Sequence, residues 1–336
     1  MKKIVVLQAL FVATSLSCTS IVVTPGASKA GSAIISYSAD SPLLYGGVTL
    51  RPHRSHYTRD TVTITDWIET DKVIGKIPQV NETYKVVGNV NEYGVAIAAT
   101  VFGGLKILHQ QSGGIMEYGS LAYVALDRSK SAQSAITTMT NLIAKYGYYS
   151  PGVSYTIADS KEVWILEVIG KGDFELGAVW VAMKVPDGHV TAHANQARIR
   201  KFPRNDPSTC KFSSDVISFA KKHGFYPDDA SDDDFSFSDV YSPMSFEKAR
   251  NAEARVWAFF RKVAGESAMD KYKDYVLGVN LTNRMPWSVK VSEKIDYRMV
   301  INCTRDFYQG TILDFTQDVG AGPFNAPYRN YPLNFE

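Results

Sequence analysis

The sequence lacks a charge excess of either sign, and it lacks any long apolar run after its first segment. It has 36 Lys and Arg residues against 34 Asp and Glu residues, with no long acidic or basic tail. A basic footprint for nucleic acid is therefore absent. Beyond residue 17, no apolar run approaches the ~20 residues that a membrane-spanning helix needs. We expect neither a nucleic-acid partner nor stable membrane insertion once the first segment is removed.

Cysteine is scarce as well, and the three that occur are too few for a disulfide scaffold. If Cys18 is kept free for chemistry, Cys210 and Cys303 remain as a candidate pair in an oxidising compartment. Unpaired buried thiols are the alternative. The content of 45% hydrophobic and 12% aromatic residues is typical of a globular protein with a large core. Whether the protein is a homo-oligomer stays open at this point.

The first segment has the pattern of an export signal. Met1–Lys3 is a charged start, Ile4–Ala13 is mostly apolar, and the small residues Ser15 and Ser17 stand three and one positions before Cys18. We therefore predict a leader over residues 1–17 that directs the protein to the periplasm or the exterior. Removal of the leader by a signal peptidase and removal by self-processing both remain open.

Cleavage before Cys18 would place a thiol and an α-amine on the same residue. An α-amine has a pKa of roughly 7.7–8.0, so it can take the proton of the neighbouring thiol, and no catalytic histidine is needed. An ordinary export signal and a lipid-anchoring signal are the alternatives. A lipid-anchoring signal fits poorly, because Ser15 and Leu16 stand where an aliphatic and then a small residue are normal.

The first half of the chain is predicted to form mainly strands, with helices between two groups of strands. β-branched and alternating runs are separated by turn residues. The predicted strands are Thr19–Thr24, Ser32–Ser38, Thr61–Trp67, Tyr84–Val87, Gly94–Val101, Ser154–Ala158, Glu162–Val168, Val179–Val185 and His189–Ala194. Strands in two groups with helices between them favour layered sheets covered by helices.

Two helices are predicted. Ser131–Tyr146 has apolar residues at three-and-four spacing, and Gly147 stands where a C-cap is expected. Pro243–Val263 has a similar apolar stripe, with Ser242 as N-cap. The intervening residues 203–241 are rich in Asp and Ser without a clear period, and they lack the ligand spacing of a calcium loop. We predict a solvated insertion loop there.

Several segments in order resemble one family. Cys18–Val23, Gly31–Asp40 and the Asn-Glu-x-Gly-Val motif within Gly88–Thr100 are joined by four further blocks. Those blocks are Glu162–Glu167, Ala194–Ile199, Asn283–Trp287 and Ala321–Arg329. The chain is similar to the PepD-type dipeptidases, cysteine hydrolases of the N-terminal-nucleophile class to which the secernins are also similar.

This resemblance implies an α+β fold, the four-layer α/β/β/α sandwich of N-terminal-nucleophile hydrolases, as one domain over residues 18–336. It implies hydrolysis of dipeptides or short peptides through a thioester on Cys18, without a metal or organic cofactor. Related families on this scaffold cleave penicillin V or conjugated bile salts, so such an acylase is one alternative. An exported binding protein that has lost catalysis is another.

The resemblance also implies site residues. Asp40 would hold the α-amine of Cys18, and Asn195 would donate its amide to the oxyanion. Asn91 would assist there or serve turn geometry alone. Arg198 would meet a substrate carboxylate, or be an ordinary surface arginine.

The chain departs from the family pattern in two ways. Tyr37 stands where many members have an arginine before the aspartate. The chain is also shorter than is usual in the family, and we expect a missing C-terminal portion, through truncation or a partial gene model.

Overall fold

A computed structural model describes residues 17–40, 47–67, 72–317 and 321–327. The predicted leader, apart from Ser17, lies outside these described residues. Antiparallel sheets are packed against helices, so the predicted α+β class is confirmed. Within the described ranges, no helix is long and apolar enough to cross a membrane.

Seventeen strands are numbered in chain order. They are β1 Ser17–Val23, β2 Ile34–Ile35, β3 Ser38–Asp40, β4 Leu50–Arg51, β5 Arg54–Ser55, β6 Thr61–Asp66, β7 Lys72–Pro78, β8 Glu82–Thr83, β9 Val86–Val87, β10 Val90–Asn91, β11 Ala96–Gly103, β12 Gly152–Ala158, β13 Val163–Gly170, β14 Ala178–Lys184, β15 His189–His193, β16 Cys210–Phe212 and β17 Val289–Lys290. One sheet has the order β17-β15-β1-β2, with β3 also paired to β1. A second sheet has the order β16-β14-β13-β12-β11-β10-β9-β4, and two smaller pairs are β5-β8 and β6-β7.

Nine α-helices are described. They are α1 Tyr118–Arg128, α2 Ala132–Tyr146, α3 Ser218–Lys222, α4 Phe237–Tyr241, α5 Phe246–Lys248, α6 Ala254–Ala264, α7 Glu266–Asp270, α8 Lys273–Val276 and α9 Tyr297–Thr304. Short 3₁₀ turns lie at Pro25–Ala27, Lys106–Leu108, Asp232–Asp234 and Pro323–Asn325, and a π-helical turn, Ala249–Glu253, joins α5 to α6.

The two larger sheets bury apolar side chains on both faces. Successive side chains of a strand point to opposite faces, and in β13 the whole strand is buried. Its Leu166 packs in the cluster that contains α1 and α2. Its Ile165 packs with Val22 of β1 in a second cluster, so the two sheets face each other there. On the opposite face of β1, Ile21 packs with Trp257 of α6.

The predicted helix at 131–146 is confirmed at both ends. Ser131 is the N-cap and its side chain accepts from the N–H of Ser134, in a reciprocal capping box. Gly147 follows α2 with a φ of 71°, a left-handed conformation that glycine adopts without a Cβ clash.

The predicted start of the later helix is wrong. α5 begins at Phe246, and Ser245 is its N-cap, accepting from the N–H of Lys248. Ser242 is instead buried, and its hydroxyl donates to Gln196 Oε1. The register was misjudged because the sequence offers two serines with the same capping chemistry three residues apart.

The prediction of a solvated loop over residues 203–241 is also wrong. β16 extends the larger sheet at its edge, next to β14, and α3 and α4 follow it. Aromatic side chains in the segment are buried in the cluster between the sheets, namely Phe219, Phe235, Phe237 and Tyr241. The Asp residues lie on the outside, where Asp232 and Asp234 pair with Lys221 and Lys201. Cys210 and Cys303 are both free thiols.

A buried histidine links the two larger sheets. His193 of β15 contacts Thr100 of β11 through Nδ1 at 2.6 Å and Thr156 of β12 through Nε2 at 2.7 Å. Burial lowers the pKa of His193 to about 3, so the ring is neutral at physiological pH. The Thr156 hydroxyl also lies 3.3 Å from that of Ser20, in β1. This network ties the β1 strand to the facing sheet.

Replacing His193 by leucine is expected to lower the free energy of unfolding by about 2–4 kcal/mol. The buried hydroxyls of Thr100 and Thr156 would each lose a partner, and an unsatisfied buried polar group costs about 1–3 kcal/mol. Urea unfolding followed by circular dichroism measures the loss. His189→Leu, in the same strand but only partly buried, is the matched control and should lose clearly less.

Candidate active site

Cys18 is the second residue of β1, and it is buried. The residue is 6% exposed, and β1 is paired with β15 on one side and with β2 and β3 on the other. Cys18 stands opposite Ala39 in the ladder between β1 and β3. Pairing with β3 therefore fixes the backbone at Cys18 on one side, while the pairing with β15 begins two residues later, at Ser20.

Asn195 holds the nitrogen of Cys18. It follows β15 with a φ of 60°, a left-handed conformation that asparagine adopts more readily than most residues. Its Oδ1 accepts from the Cys18 backbone nitrogen at 2.8 Å. Its Nδ2 donates to the Val101 carbonyl at 2.6 Å. The amide that we expected to meet an oxyanion is thus bound to the backbone, and the oxygen of Asn195 makes the contact with Cys18.

Arg255 holds the other side of Cys18 and was missed by the sequence analysis. From the first turn of α6 it donates through Nη1 to the Cys18 carbonyl at 2.6 Å and to the Thr19 hydroxyl at 2.8 Å. Its Nη2 donates to Asn195 Oδ1 at 2.8 Å. The planar guanidinium thus fixes Cys18 and Asn195 relative to each other. No motif marks this residue among the 36 basic residues.

Asp40 lies beside the same residues, as the sequence predicted. It ends β3 opposite Ser17, and its charge acts on both the Cys18 thiol and Arg255. Partial burial raises the pKa of Asp40, while Arg255 lowers it. That the Asp40 carboxyl holds the nitrogen of residue 18 stays a prediction.

The surroundings of the Cys18 thiol both raise and lower its pKa. Burial raises the pKa of Cys18 most, and the Asp40 charge adds to the rise; contacts with the backbones of Val101 and Asp40 and the charge of Arg255 lower it. The net direction is upward, so the thiol is protonated near neutral pH. It therefore needs a base to become a nucleophile.

Val101 reaches the thiol because β11 is irregular at that point. The register between β11 and β12 shifts between Val101 and Gly103, and Gly103 has a φ of 74°. A bulge of this kind redirects the backbone and is common next to active sites. In the sequence, only the glycine that follows Phe102 could have indicated this contact.

Asn91 does not contact Cys18, and its side chain is fully used elsewhere. Nδ2 donates to the carbonyls of Leu126 and Ser129 at 2.8 and 2.7 Å. Oδ1 accepts from the backbone N–H groups of Tyr93 and Val95. Of the two predicted roles for Asn91, the structure fits the turn role and not the oxyanion role.

Arg198 is likewise engaged in contacts inside the protein. It is buried, pairs with Glu253 at 3.0 Å, and donates to the carbonyls of Pro286, Trp287 and Ala192. The alternative of a surface arginine is wrong, and the burial and internal contacts of Arg198 do not support the expected contact with a substrate carboxylate. Its charge is balanced inside the protein.

Two tyrosines lie within electrostatic range of the thiol. Tyr37 and Tyr118 each interact electrostatically with both Cys18 and the Glu117 carboxyl. Tyr37 is 40% exposed, whereas Tyr118 and Glu117 are buried. Burial raises the pKa of both tyrosines, so both stay neutral at physiological pH. Tyr37, which stands where many family members have an arginine, therefore adds no positive charge near the thiol.

These features define an α+β protein centred on a buried cysteine whose nitrogen, carbonyl and thiol each have a polar neighbour. The chain belongs to peptidase family C69, whose sequence profile matches residues 17–334.

Relatives that the chain matches are named dipeptidases or probable dipeptidases. The chain is 29% identical over 230 residues to a probable dipeptidase from Salmonella dublin, and the match covers 67% of this chain and 49% of that protein. It is 24% identical over 285 residues to dipeptidase A from Lactobacillus helveticus, covering 78% and 58%. A probable dipeptidase from Latilactobacillus sakei is 27% identical over 173 residues, covering 50% and 34%. The chain spans about half the length of the curated relatives it matches.

Proposed function

We propose that this protein is a cysteine peptidase that hydrolyses dipeptides or short peptides, with Cys18 as its N-terminal residue. The observation that carries the proposal is the hydrogen bond from the Cys18 nitrogen to Asn195 Oδ1. Once the bond to Ser17 is cut, the same contact would orient a free α-amine beside its own thiol. Membership of a peptidase family, and relatives named as dipeptidases, supply the substrate class.

In the proposed acylation, the lone pair of the α-amine takes the thiol proton as Sγ attacks the peptide carbonyl. The C–S bond forms and the carbonyl electron pair moves to oxygen. The resulting ammonium then gives its proton to the leaving nitrogen as the C–N bond breaks, which leaves a thioester. Donation to Asn195 uses one N–H of the amine, so its lone pair stays available for this transfer.

Deacylation would use the same groups with water. The α-amine removes a proton from the attacking water, the tetrahedral intermediate collapses, and the C–S bond breaks. The proton returns to the thiolate and the carboxylic product leaves. The backbone of Val101, which already contacts the thiol, is our proposed source of oxyanion stabilisation.

We also propose the finer fold and the cellular location. Facing sheets with helices on their outer sides support the α/β/β/α sandwich of the N-terminal-nucleophile type. The charged and apolar start of the sequence supports export through a leader that ends at Ser17.

Maturation and activity are tested together on protein isolated from its host. Intact mass and N-terminal sequencing should give an unmodified Cys18 at the start. That protein should release both amino acids from alanyl-alanine. Cleavage of penicillin V or a conjugated bile salt, with dipeptides untouched, would assign the acylase alternative. A lipid on the Cys18 nitrogen, or an uncut chain with full activity, would contradict the mechanism.

A further inference from the structure

Glu167 is a fully buried carboxyl that binds the backbone of the loop carrying Asn195. It lies in β13 and is 0% exposed. Its Oε1 accepts from the N–H of Arg198 at 2.6 Å, and its Oε2 accepts from the N–H of Ile199 at 3.1 Å. The Ser154 hydroxyl also donates to Oε1, at 3.4 Å. Both oxygens of Glu167 are thus used, and two of these three donors belong to the loop.

This loop, residues 194–199, is irregular and yet almost wholly buried. It follows β15 without pairing to another strand, and all of its residues except Asn195 are buried. Buried N–H groups outside a strand ladder need other partners, and Glu167 supplies two of them. Hydrogen bonds to a charged acceptor are shorter and stronger than those to a neutral one. Glu167 therefore holds the second half of the loop firmly.

The charge of Glu167 is only partly balanced by its surroundings. Burial raises the pKa of Glu167 to about 7. The N–H groups of Arg198 and Ile199 oppose this rise, as do the charge of Arg198 and the hydroxyl of Ser154. The Arg198 guanidinium is itself paired with Glu253 at 3.0 Å. Above neutral pH the carboxyl is ionised, and both of its oxygens are then acceptors.

The same loop carries the group that holds the nitrogen of Cys18. Asn195 Oδ1 accepts from that nitrogen at 2.8 Å, and the φ of Asn195 is 60°, a conformation that few residues other than glycine adopt. Such a conformation persists only where the surrounding structure fixes it. β15 fixes the chain before Asn195. After it, the bonds from Glu167 to Arg198 and Ile199 fix the chain three and four residues later.

We propose that Glu167 is a positioning residue, which fixes the 194–199 loop so that Asn195 orients the nitrogen of Cys18. This inference rests on the proposed function and deepens it, because that nitrogen is the proposed base. Glu167 acts through Asn195. A looser loop should therefore slow the chemical step and leave substrate binding nearly unchanged.

The test is a double-mutant cycle of Glu167→Gln with Asn195→Ala in the mature protein. Glutamine keeps the size of the side chain, but its NH₂ group cannot accept from an N–H, so one of the two loop contacts is lost. Two rates are measured at about pH 8, where Glu167 is ionised. They are the turnover of alanyl-alanine and the alkylation of Cys18 by iodoacetamide, followed by mass spectrometry. Glu162→Gln, just before β13 and partly buried, is the matched control.

We expect Glu167→Gln to lower kcat by about 10- to 100-fold and to change KM by less than about twofold, because misplacement of a reacting group by about 1 Å can cost 10²-fold. Alkylation of Cys18 should also slow. In the Asn195→Ala background, Glu167→Gln should lower either rate by no more than about twofold further, since residues that act as a unit are not additive. Glu167→Asp, which keeps the charge on a shorter side chain, should recover part of the rate.

The control Glu162→Gln should keep both rates, and all rates are referred to the folded fraction measured by circular dichroism. Full multiplication of the two single effects in the double variant would show that Glu167 only stabilises the fold, and it overturns the inference. Unsubstituted rates in Glu167→Gln do the same. If Glu167→Gln does not fold, Glu167→Asp takes its place in the cycle. Coupled alkylation rates in a protein that hydrolyses no dipeptide contradict the proposed function alone.

Discussion

Cys18→Ser is expected to reduce dipeptide hydrolysis by at least about 10³-fold, with the fold preserved. A serine hydroxyl has nearly the size of a thiol but is a far weaker acid, so a single α-amine deprotonates it poorly. Removing the nucleophile of an enzyme typically leaves only the residual rate from binding and electrostatics. The measurement is kcat for alanyl-alanine, together with the circular dichroism spectrum.

Cys303→Ser is the control for this change. Cys303 is a partly buried free thiol in α9, and its replacement should leave hydrolysis intact. Turnover by Cys18→Ser at the rate of the unsubstituted protein would remove Cys18 from the mechanism. Loss of activity in both variants would point to a general effect of thiol removal.

Arg255→Gln is expected to lower kcat/KM by about 10²- to 10³-fold. The guanidinium binds the Cys18 carbonyl, the Thr19 hydroxyl and Asn195 at once, so its loss frees both the nucleophile and the residue that orients its nitrogen. Displacement of reacting groups by about 1 Å can cost 10²-fold. Arg255→Lys should recover part of the rate, because it keeps the charge but not the planar fork.

Arg261→Lys is the matched control for the arginine variants. It lies in the same helix and pairs with Glu266 and Asp270, and lysine keeps the positive charge that both pairs need. Its activity should equal that of the unsubstituted protein. Equal activity of Arg255→Gln would show that the three contacts of Arg255 do not position the site. A lowered kcat with unchanged KM would assign the loss to the chemical step.

Local patterns predicted some elements well because each carried two independent signals. α2 has an apolar stripe together with caps at both ends. α1 was missed because it is buried on most sides and begins at a Gly-Ser pair, so it shows no polar face. Its N-cap is Glu117, which is not among the preferred capping residues.

The site could be predicted only where a residue lies on a strand near Cys18. Asp40 was predicted through the family resemblance, and the direct pairing of β1 with β3 explains why it lies near Cys18. Arg255 comes from a helix 237 positions away, and no local pattern reports that distance. Asn195 was found, but its orientation was not, because the spacing of a motif does not say which end of an amide faces the nucleophile. Arg198 was misjudged because Glu253, its buried partner, is also distant in sequence.

If the proposed cleavage before Cys18 takes place, the pairing of Ser17 with Asp40 sets a different order of events for each of the two possible routes. A protease that cuts before residue 18 must bind the chain around that position in an extended, unpaired conformation. Pairing of β1 with β3 makes this conformation inaccessible once the two strands have paired. Trimming by an outside enzyme must therefore precede hairpin closure. Self-cleavage, which needs the finished geometry, must come after it. The rate of folding relative to the rate of export would then decide whether a signal peptidase or self-cleavage exposes Cys18 as the N-terminal residue.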